Sequence, residues 1–284
     1  MSAVILLTGV TGTVGREVAR LLASTRPVRV LARDPARVTL SGRGVEVATA
    51  AYADHDALIR ALDGVRTAFL VTNDPTRPDD LRFVAAATEA GVRHVVKLSA
   101  YAVGEEDADD LITRWQRANE ELIRGSGLDW TFLRPRAFMS NTLAWAPSIR
   151  AEGVVRTLNP HSANACVDPR DIAGIAALAL TEPGHAGRIH PLTGPAAVTP
   201  AEQAADLAAV LQRPVRIEEL TPDQAAVQWS RRYPDPVVEA LLQSAARQAR
   251  GLKAAVDPTF EQVTGRRPRP FRTWAADHAP AFGR

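Results

Sequence analysis

Lysine is almost absent from this 284-residue chain: only Lys97 and Lys253 carry it, and arginine supplies nearly all the positive charge. The net charge is only +2, which excludes the strongly basic surface of a nucleic-acid-binding protein. The single cysteine, Cys166, excludes an intrachain disulfide framework and points to a reducing compartment; in the apolar stretch "NACV" it reads as a packed thiol. The histidines are dispersed, with no pair at the i,i+4 spacing of a helical ligand site, so no metal is expected. No apolar run approaches the roughly 18 residues of a membrane span. The N-terminus lacks the basic region of a signal peptide. The expectation is a soluble, cytoplasmic protein with neither membrane nor nucleic acid as a direct partner.

What the chain does have is apolar content, 46%, enough for a sizeable core. In the first half it falls into short runs that alternate with helical patterns. Strands are expected at Val4–Leu7, Val28–Ala32, Val45–Ala48, Ala68–Val71, His94–Leu98 and Trp130–Leu133. Helices are expected near Thr13–Ser24, Asp56–Leu62, Asp80–Ala90 and Asp109–Arg124. Several runs are apolar on both faces, as strands of a helix-covered parallel sheet must be, which makes the fold α/β and doubly wound. After Pro135 the rhythm changes. Helix starts at Asp168-Pro169, Thr199-Pro200 and Thr221-Pro222 place a side-chain acceptor at the N-cap and proline at the first helical position. Glu202 and Gln224 complete capping boxes for the last two. Short strands are expected near Arg188–Leu192 and Val215–Glu218. The expected division is a Rossmann-type domain over 1–150 and a smaller, mostly helical substrate region over 151–284, with an approximate boundary that lets the chain cross back to the sheet.

The stretch "LLTGVTGTVGREV" joins the first strand to the first helix. A phosphate cradle needs a tight turn, close backbone approach and exposed N–H groups at a helix N-terminus. Gly9 serves the turn, Gly12 the approach, and Gly15 the close packing of helix on sheet, while Thr8, Thr11 and Thr13 add hydroxyls. The second strand ends in "VRVLARDPAR", with Arg33 at its tip and Asp34 and Arg37 beside it. A guanidinium there suits the 2′-phosphate of NADP, whereas Asp34 suits the free hydroxyls of NAD. NADP(H) is favoured over NAD(H).

These stretches, with "HVVKLSAY", "SGLDWTFLRPRAFMSN", "VDPRDIAGIAALALTEPGHAGRIHPLTGP" and "TWAADHAPAF", run from end to end of the chain. Together they resemble the NmrA-like atypical short-chain dehydrogenase/reductases, close to the quinone-oxidoreductase subgroup. The resemblance implies a Rossmann domain holding NAD(P)(H) and a small C-terminal substrate domain. It implies that Gly9, Thr11, Gly12, Thr13 and Val14 face the pyrophosphate, with Gly15 in the same turn, and that Arg33 faces the 2′-phosphate. Thr72 and Asn73 then line the ribose side, Ser99 and Tyr101 lie near the nicotinamide, and the segment from Arg134 and Pro135 to Phe138 closes over that ring.

The chain departs from the conventional pattern in one respect that bears on chemistry. Short-chain reductases pair a tyrosine acid with a lysine four residues later; here the positions four beyond Tyr52, Tyr101 and Tyr233 are Asp56, Glu105 and Val237. Reduction of a simple ketone needs a positioned acid for the developing alkoxide. A quinone yields a phenolate-like anion, stable enough (phenolic pKa about 10) for water or a weak donor to protonate. Tyr101 is the best remaining donor. Arg136, standing where many relatives carry glycine, either enters the nicotinamide pocket or binds an anionic substrate. The expected function is therefore NADPH-dependent reduction of a quinone or related conjugated small molecule, with Tyr101 and Ser99 as candidate catalytic groups and Arg136 and Phe138 toward the substrate. The alternative is a redox-inactive NAD(P)(H) sensor acting through a protein partner. The acidic stretch "GEEDADD", Gly104 to Asp110, reads as a solvated loop leading into a helix.

Overall fold

The computed structural model describes residues 4–42 and 44–283. The first half runs β1 (Val4–Leu7), α1 (Thr13–Ala23), β2 (Val28–Ala32), β3 (Val45–Thr49), α2 (His55–Leu62), β4 (Val65–Leu70), α3 (Asp79–Glu89), β5 (His94–Leu98), α4 (Leu111–Arg124) and β6 (Asp129–Pro135). Then come α5 (Ala146–Glu152), β7 (Val154–Thr157), α6 (Pro169–Thr181), β8 (Arg188–Leu192), α7 (Pro200–Leu211), β9 (Arg216–Glu219), α8 (Pro222–Ser230), α9 (Asp235–Ala249), α10 (Thr259–Thr264) and α11 (Phe271–Asp277). The chain forms two compact units. The first comprises residues 1–103, 114–135 and 169–190; the second comprises 104–113, 136–168 and 191–284.

The first unit is the expected α/β fold of Rossmann type. Its strands form a seven-stranded sheet in the order β3-β2-β1-β4-β5-β6-β8, and each neighbouring pair from β3 to β6 is parallel. Central strands are shut away from water on both faces: Leu6, Leu7, Val30, Phe69, Leu70, Val95, Val96, Phe132 and Leu133 are all fully buried. That is why these runs lack the alternation of a half-exposed strand. Helix α1 turns Val14, Val18, Ala19 and Leu22 inward, and α2 does the same with Ala57, Leu58, Ala61 and Leu62. The strand order reverses direction at β1, between β2 and β4, which opens the crevice where such sheets bind ligands. The chain returns to this unit through α6 and β8.

The sequence places most elements within a few residues. Strand β4 starts three residues before its expected position, and β6 extends through Pro135, so Arg134 belongs to the strand and not to the segment beyond it. In the second unit the capping boxes form as expected. Thr199 and Glu202 cap α7, and Thr221 and Gln224 cap α8. Strands β7 and β9 pair in parallel as a separate two-stranded sheet. Its core gathers Ile149, Val155, Leu207, Phe271, Trp274 and Phe282. No helix among the described residues is long and apolar enough to cross a membrane.

One pair on the first unit sets an acid limit on stability. His185 Nδ1 lies 3.1 Å from His190 Nε2 on β8. Burial, then the charges of His185 and Arg188, push His190 from 6.5 down to about 4. The unfolded chain takes up this proton first, so the stability present above about pH 6.5 is lost as pH falls toward 4. Urea midpoints should fall over this range, and His190→Phe should flatten the fall; an unaltered slope in the variant would count against the assignment.

Candidate functional site

The glycine turn is built as a cradle. Gly9 has φ +66°, and a Cβ there would sit 2.8 Å from Val71 Cβ; a Cβ on Gly15 would sit 2.3 Å from the Gly9 carbonyl oxygen. Only glycine leaves the backbone free to turn and α1 free to approach it. The Thr8 hydroxyl accepts from Val71 N at 2.7 Å and donates to Val71 O at 3.3 Å, pinning the end of β1 to the residue after β4. Gly12 is the N-cap of α1, makes no side-chain cap, and no acidic residue occupies the first turn. Thr11, Gly12 and Thr13 are exposed, while Val14 and Gly15 pack inward. A helix N-terminus left without a protein acceptor, in a turn that excludes side chains, suits a pyrophosphate. The residues present fit a dinucleotide.

Arg33 follows β2 and is exposed. Asp34, its rival for the ribose, turns its carboxylate into its own chain, where it accepts from Ala36 N at 3.0 Å and caps a short 3-10 turn. At the end of β4, Thr72 and Asn73 part company. Asn73 is exposed, whereas Thr72 is buried and donates to Asp80 Oδ2 at 2.6 Å while accepting from Lys97 Nζ at 2.7 Å. Lys97 closes the triad with an ion pair to Asp80 Oδ1 at 2.7 Å; both side chains are sealed from water. Burial holds the Lys97 amine below its ordinary range, opposed by the Asp80 charge. The Thr72 hydroxyl, expected on the ribose side, is thus committed inward.

A second buried network lies behind β5 and β6. Glu120 on α4, fully buried, accepts from Ser99 Oγ at 2.7 Å, from Arg134 Nε and Nη2 at 2.8 and 2.6 Å, and from Arg124 Nη2 at 2.9 Å. Ser99 and Arg134, both expected at the nicotinamide, are therefore held together by a carboxylate that the sequence reading passed over. The bidentate fork fixes Arg134 as a rigid wall. Pro135 is buried at the end of the strand. Tyr101, half-buried, opens the turn Tyr101–Gly104, and Lys97, four residues before it, is turned away to Asp80. Paired with Asp80, Lys97 does not stand in the place of a short-chain reductase's dyad lysine. On the face of α4 that carries Glu120, Gln116 Oε1 and Asn119 Nδ2 are buried without a hydrogen-bond partner. Orphaned polar atoms of this kind suit a polar ligand.

In the second unit Phe138 is half-buried, and its backbone bridges to Val167. Arg136 is buried and ion-paired with Glu105 Oε1 at 2.6 Å. The acidic stretch leads into α4 as expected, with Glu106, Asp107 and Asp109 exposed and Asp110 accepting from Thr113 N and Oγ1 at 3.0 and 2.7 Å at the helix start; Glu105 alone departs from the solvated loop, through its pair with Arg136. Burial pushes the Cys166 thiol up to about 12, and Gln203 Nε2 donates to its sulfur, as befits a packed and unreactive thiol.

Glu120 and Asp80 left a faint trace in the sequence. Lys97 is the one charge in "HVVKL", and a buried lysine demands a partner. The partner stands 17 residues earlier, at no spacing a periodicity reading could detect.

Residues 9–183 match the family described as NAD(P)H-binding. The chain is 59% identical over 278 residues to a (4-alkanoyl-5-oxo-2,5-dihydrofuran-3-yl)methyl phosphate reductase of Streptomyces griseus, covering 98% of this chain and 99% of that one. It is 38% identical over 286 residues to an NAD(P)H azoreductase of Xenophilus azovorans, with 98% and 99% coverage. Among solved structures, an NADPH-dependent quinone oxidoreductase from Escherichia coli, complexed with NADPH, superposes with a TM-score of 0.84 at 26% identity, covering 96% of this chain and 99% of that one.

Proposed function

The chain belongs to the NAD(P)H-binding family, as an atypical short-chain dehydrogenase/reductase of quinone-oxidoreductase-like type and an oxidoreductase, and on that premise we propose that it uses NADPH to reduce a conjugated double bond whose product anion is stabilised by carbonyl groups. The observation that carries the reading is the cofactor cradle without a tyrosine–lysine acid: Lys97 is spent on Asp80. A hydride acceptor that becomes a localised alkoxide would find no strong donor here. An acceptor that becomes a delocalised enolate or phenolate needs only water or a weak donor such as Tyr101. The dihydrofuranone in the name of the Streptomyces griseus relative is of this kind, since its ring double bond is conjugated with both the lactone and the alkanoyl carbonyl. Quinones share the property.

Bound NADPH supplies the hydride. The chain's part is to hold and orient: the Gly12 end of α1 takes the pyrophosphate, Arg33 the 2′-phosphate, and the Ser99–Glu120–Arg134 network gives the reacting end a fixed wall. NADPH oxidation assayed against a 3-acylated butenolide, a quinone and a simple aliphatic ketone tests this. Turnover of the first or second without the third is expected; preferential reduction of the ketone would sink the reading.

The preference for NADPH rests on Arg33, whose neighbour Asp34 is occupied by its own turn. Arg33→Ala should weaken NADPH by roughly ten- to a hundredfold, the worth of a charge-assisted contact, while leaving NADH nearly unaffected. Calorimetric titration with both nucleotides decides it, and an equal loss for the two would remove Arg33 from the 2′-phosphate.

A further inference from the structure

Two side-chain amides on α4 stand outside the polar networks of the first unit. Among the described residues of that unit, Gln116 Oε1 and Asn119 Nδ2 are the buried side-chain polar atoms with neither a hydrogen bond nor an ion pair. Arg29 Nε and Asp80 Oδ1 also lack a hydrogen bond there, but they are ion-paired with Glu46 at 2.8 Å and Lys97 at 2.7 Å. Gln116 and Asn119 are only 6% and 8% exposed. They share one stripe of α4 with the fully buried Glu120 and Ile123, at the three-, four- and seven-residue spacing of a single helix face.

Glu120 fixes where this stripe lies. It accepts from Ser99 Oγ and Arg134 Nε, and those two residues stand at the carboxyl ends of β5 and β6. Helix α4 runs from that edge back toward the start of β6, so Gln116 stands about 6 Å nearer the edge than Glu120. Open α/β sheets take their ligands at that edge. With the adenosine end of a dinucleotide toward β2 and Arg33, the nicotinamide end falls on the other side of β1, over β4 and β5. Thr72 Oγ1, Ser99 Oγ and Lys97 Nζ are already bonded within the protein near that end, whereas the two amides keep an unmatched acceptor and an unmatched donor. A group that meets both must itself donate and accept. The carbonyl oxygens of a quinone or an acylated butenolide only accept, and they leave Gln116 Oε1 unmatched. The carboxamide of nicotinamide carries an N–H and a carbonyl oxygen on one planar group.

We propose that Gln116 and Asn119 hold the nicotinamide carboxamide, with Gln116 Oε1 accepting from its N–H and Asn119 Nδ2 donating to its oxygen. Held through both groups, the ring cannot turn about its bond to the ribose, and one face of the reacting carbon stays presented. The assignment requires a nicotinamide cofactor and is independent of which acceptor is reduced.

The test titrates the whole protein by calorimetry with NADP+ and with its 3-acetylpyridine analogue, in which a methyl group replaces the carboxamide NH2. The corresponding NAD+ pair is titrated alongside, so the outcome does not hang on the preference for NADPH. The wild type should bind the carboxamide form roughly tenfold more tightly, because the analogue leaves Gln116 Oε1 unmatched. Gln116→Met keeps the length of the side chain without a strong acceptor and should bring that ratio close to unity. Asn119→Leu should weaken both nucleotides about tenfold and preserve the ratio, since both carry the carbonyl oxygen. Neither free variant should melt below the wild type, because each change removes an unmatched buried polar atom. Equal binding of the two nucleotides by the wild type, as contacts to their shared ribose would give, overturns the assignment, and so does a ratio that survives Gln116→Met. Variants that lose stability with the ratio intact would show the amides to be structural groups of α4. If a variant fails to fold, the wild-type ratio decides alone. A protein that binds none of the four nucleotides would refute the cofactor cradle as well, a result distinct from equal binding.

Discussion

Asp80→Asn should destabilise the folded protein by about 3–5 kcal/mol, the cost of removing one partner from a buried ion pair. The Lys97 amine is sealed from water and, among the described residues, is ion-paired with Asp80 at 2.7 Å, with the Thr72 hydroxyl bonded to both. Asparagine keeps the shape and loses the charge, so the amine must either remain charged without compensation or fold in its neutral form. The sign of the pH dependence follows. Burial already holds Lys97 below its ordinary 10.5, and without Asp80 its folded value drops further. The deficit is then full below that folded value and shrinks as pH rises toward 10.5. Thermal melts should show a loss on the order of 10 °C at neutral pH, smaller at pH 9 to 10. Lys97→Met in the same chain should restore much of the loss, because an apolar pair of similar volume avoids the desolvation. A wild-type melting point for Asp80→Asn alone would show that the triad contributes little to the fold.

The same triad marks where sequence reading ends. The sheet was legible because each strand is a short apolar run bounded by turn residues, and a doubly wound order follows from parallel strands joined by helices. The glycine turn was legible because its constraints are local: Gly9, Gly12 and Gly15 answer to neighbours within one turn and to Val71 beside them. The capping boxes at Thr199 and Thr221 were legible for the same reason. Glu120 was not. It lies one position from Glu121, which is exposed, and only the register of α4 decides which of the two carboxylates meets Arg134. Glu105 was misread as solvated because its partners, Arg136 and Arg247, lie 31 and 142 residues away. Helix α9 escaped notice since its three buried residues are Val238, Ala240 and Arg247, which make no apolar stripe. Local geometry can be read from spacing, whereas buried charge is satisfied through the tertiary fold.

Gly12→Val should weaken NADPH binding about a hundredfold or more while leaving the fold nearly as stable as before. Two or more charge-assisted N–H contacts to phosphate, each contributing roughly 1.5–3 kcal/mol, set that scale. The three glycines of the turn differ in what they tolerate. Gly9 lies at positive φ against Val71, and a side chain on Gly15 would collide with the Gly9 carbonyl at 2.3 Å, so substitutions there damage turn and cofactor site together. Gly12 has φ −92°, an extended conformation that any residue adopts, and it is exposed. Its added Cβ would stand 3.2 Å from the Gly9 oxygen, a contact relieved by a few tenths of an ångström. The branched side chain would nevertheless occupy the approach to the N–H groups at the start of α1, where a pyrophosphate held by this turn would come close. Calorimetry with NADPH, paired with a thermal melt of the free protein, separates the two effects. A variant that melts with the wild type yet binds NADPH with unchanged affinity would move the pyrophosphate away from this turn, and one that fails to fold would show that Gly12 serves the turn itself.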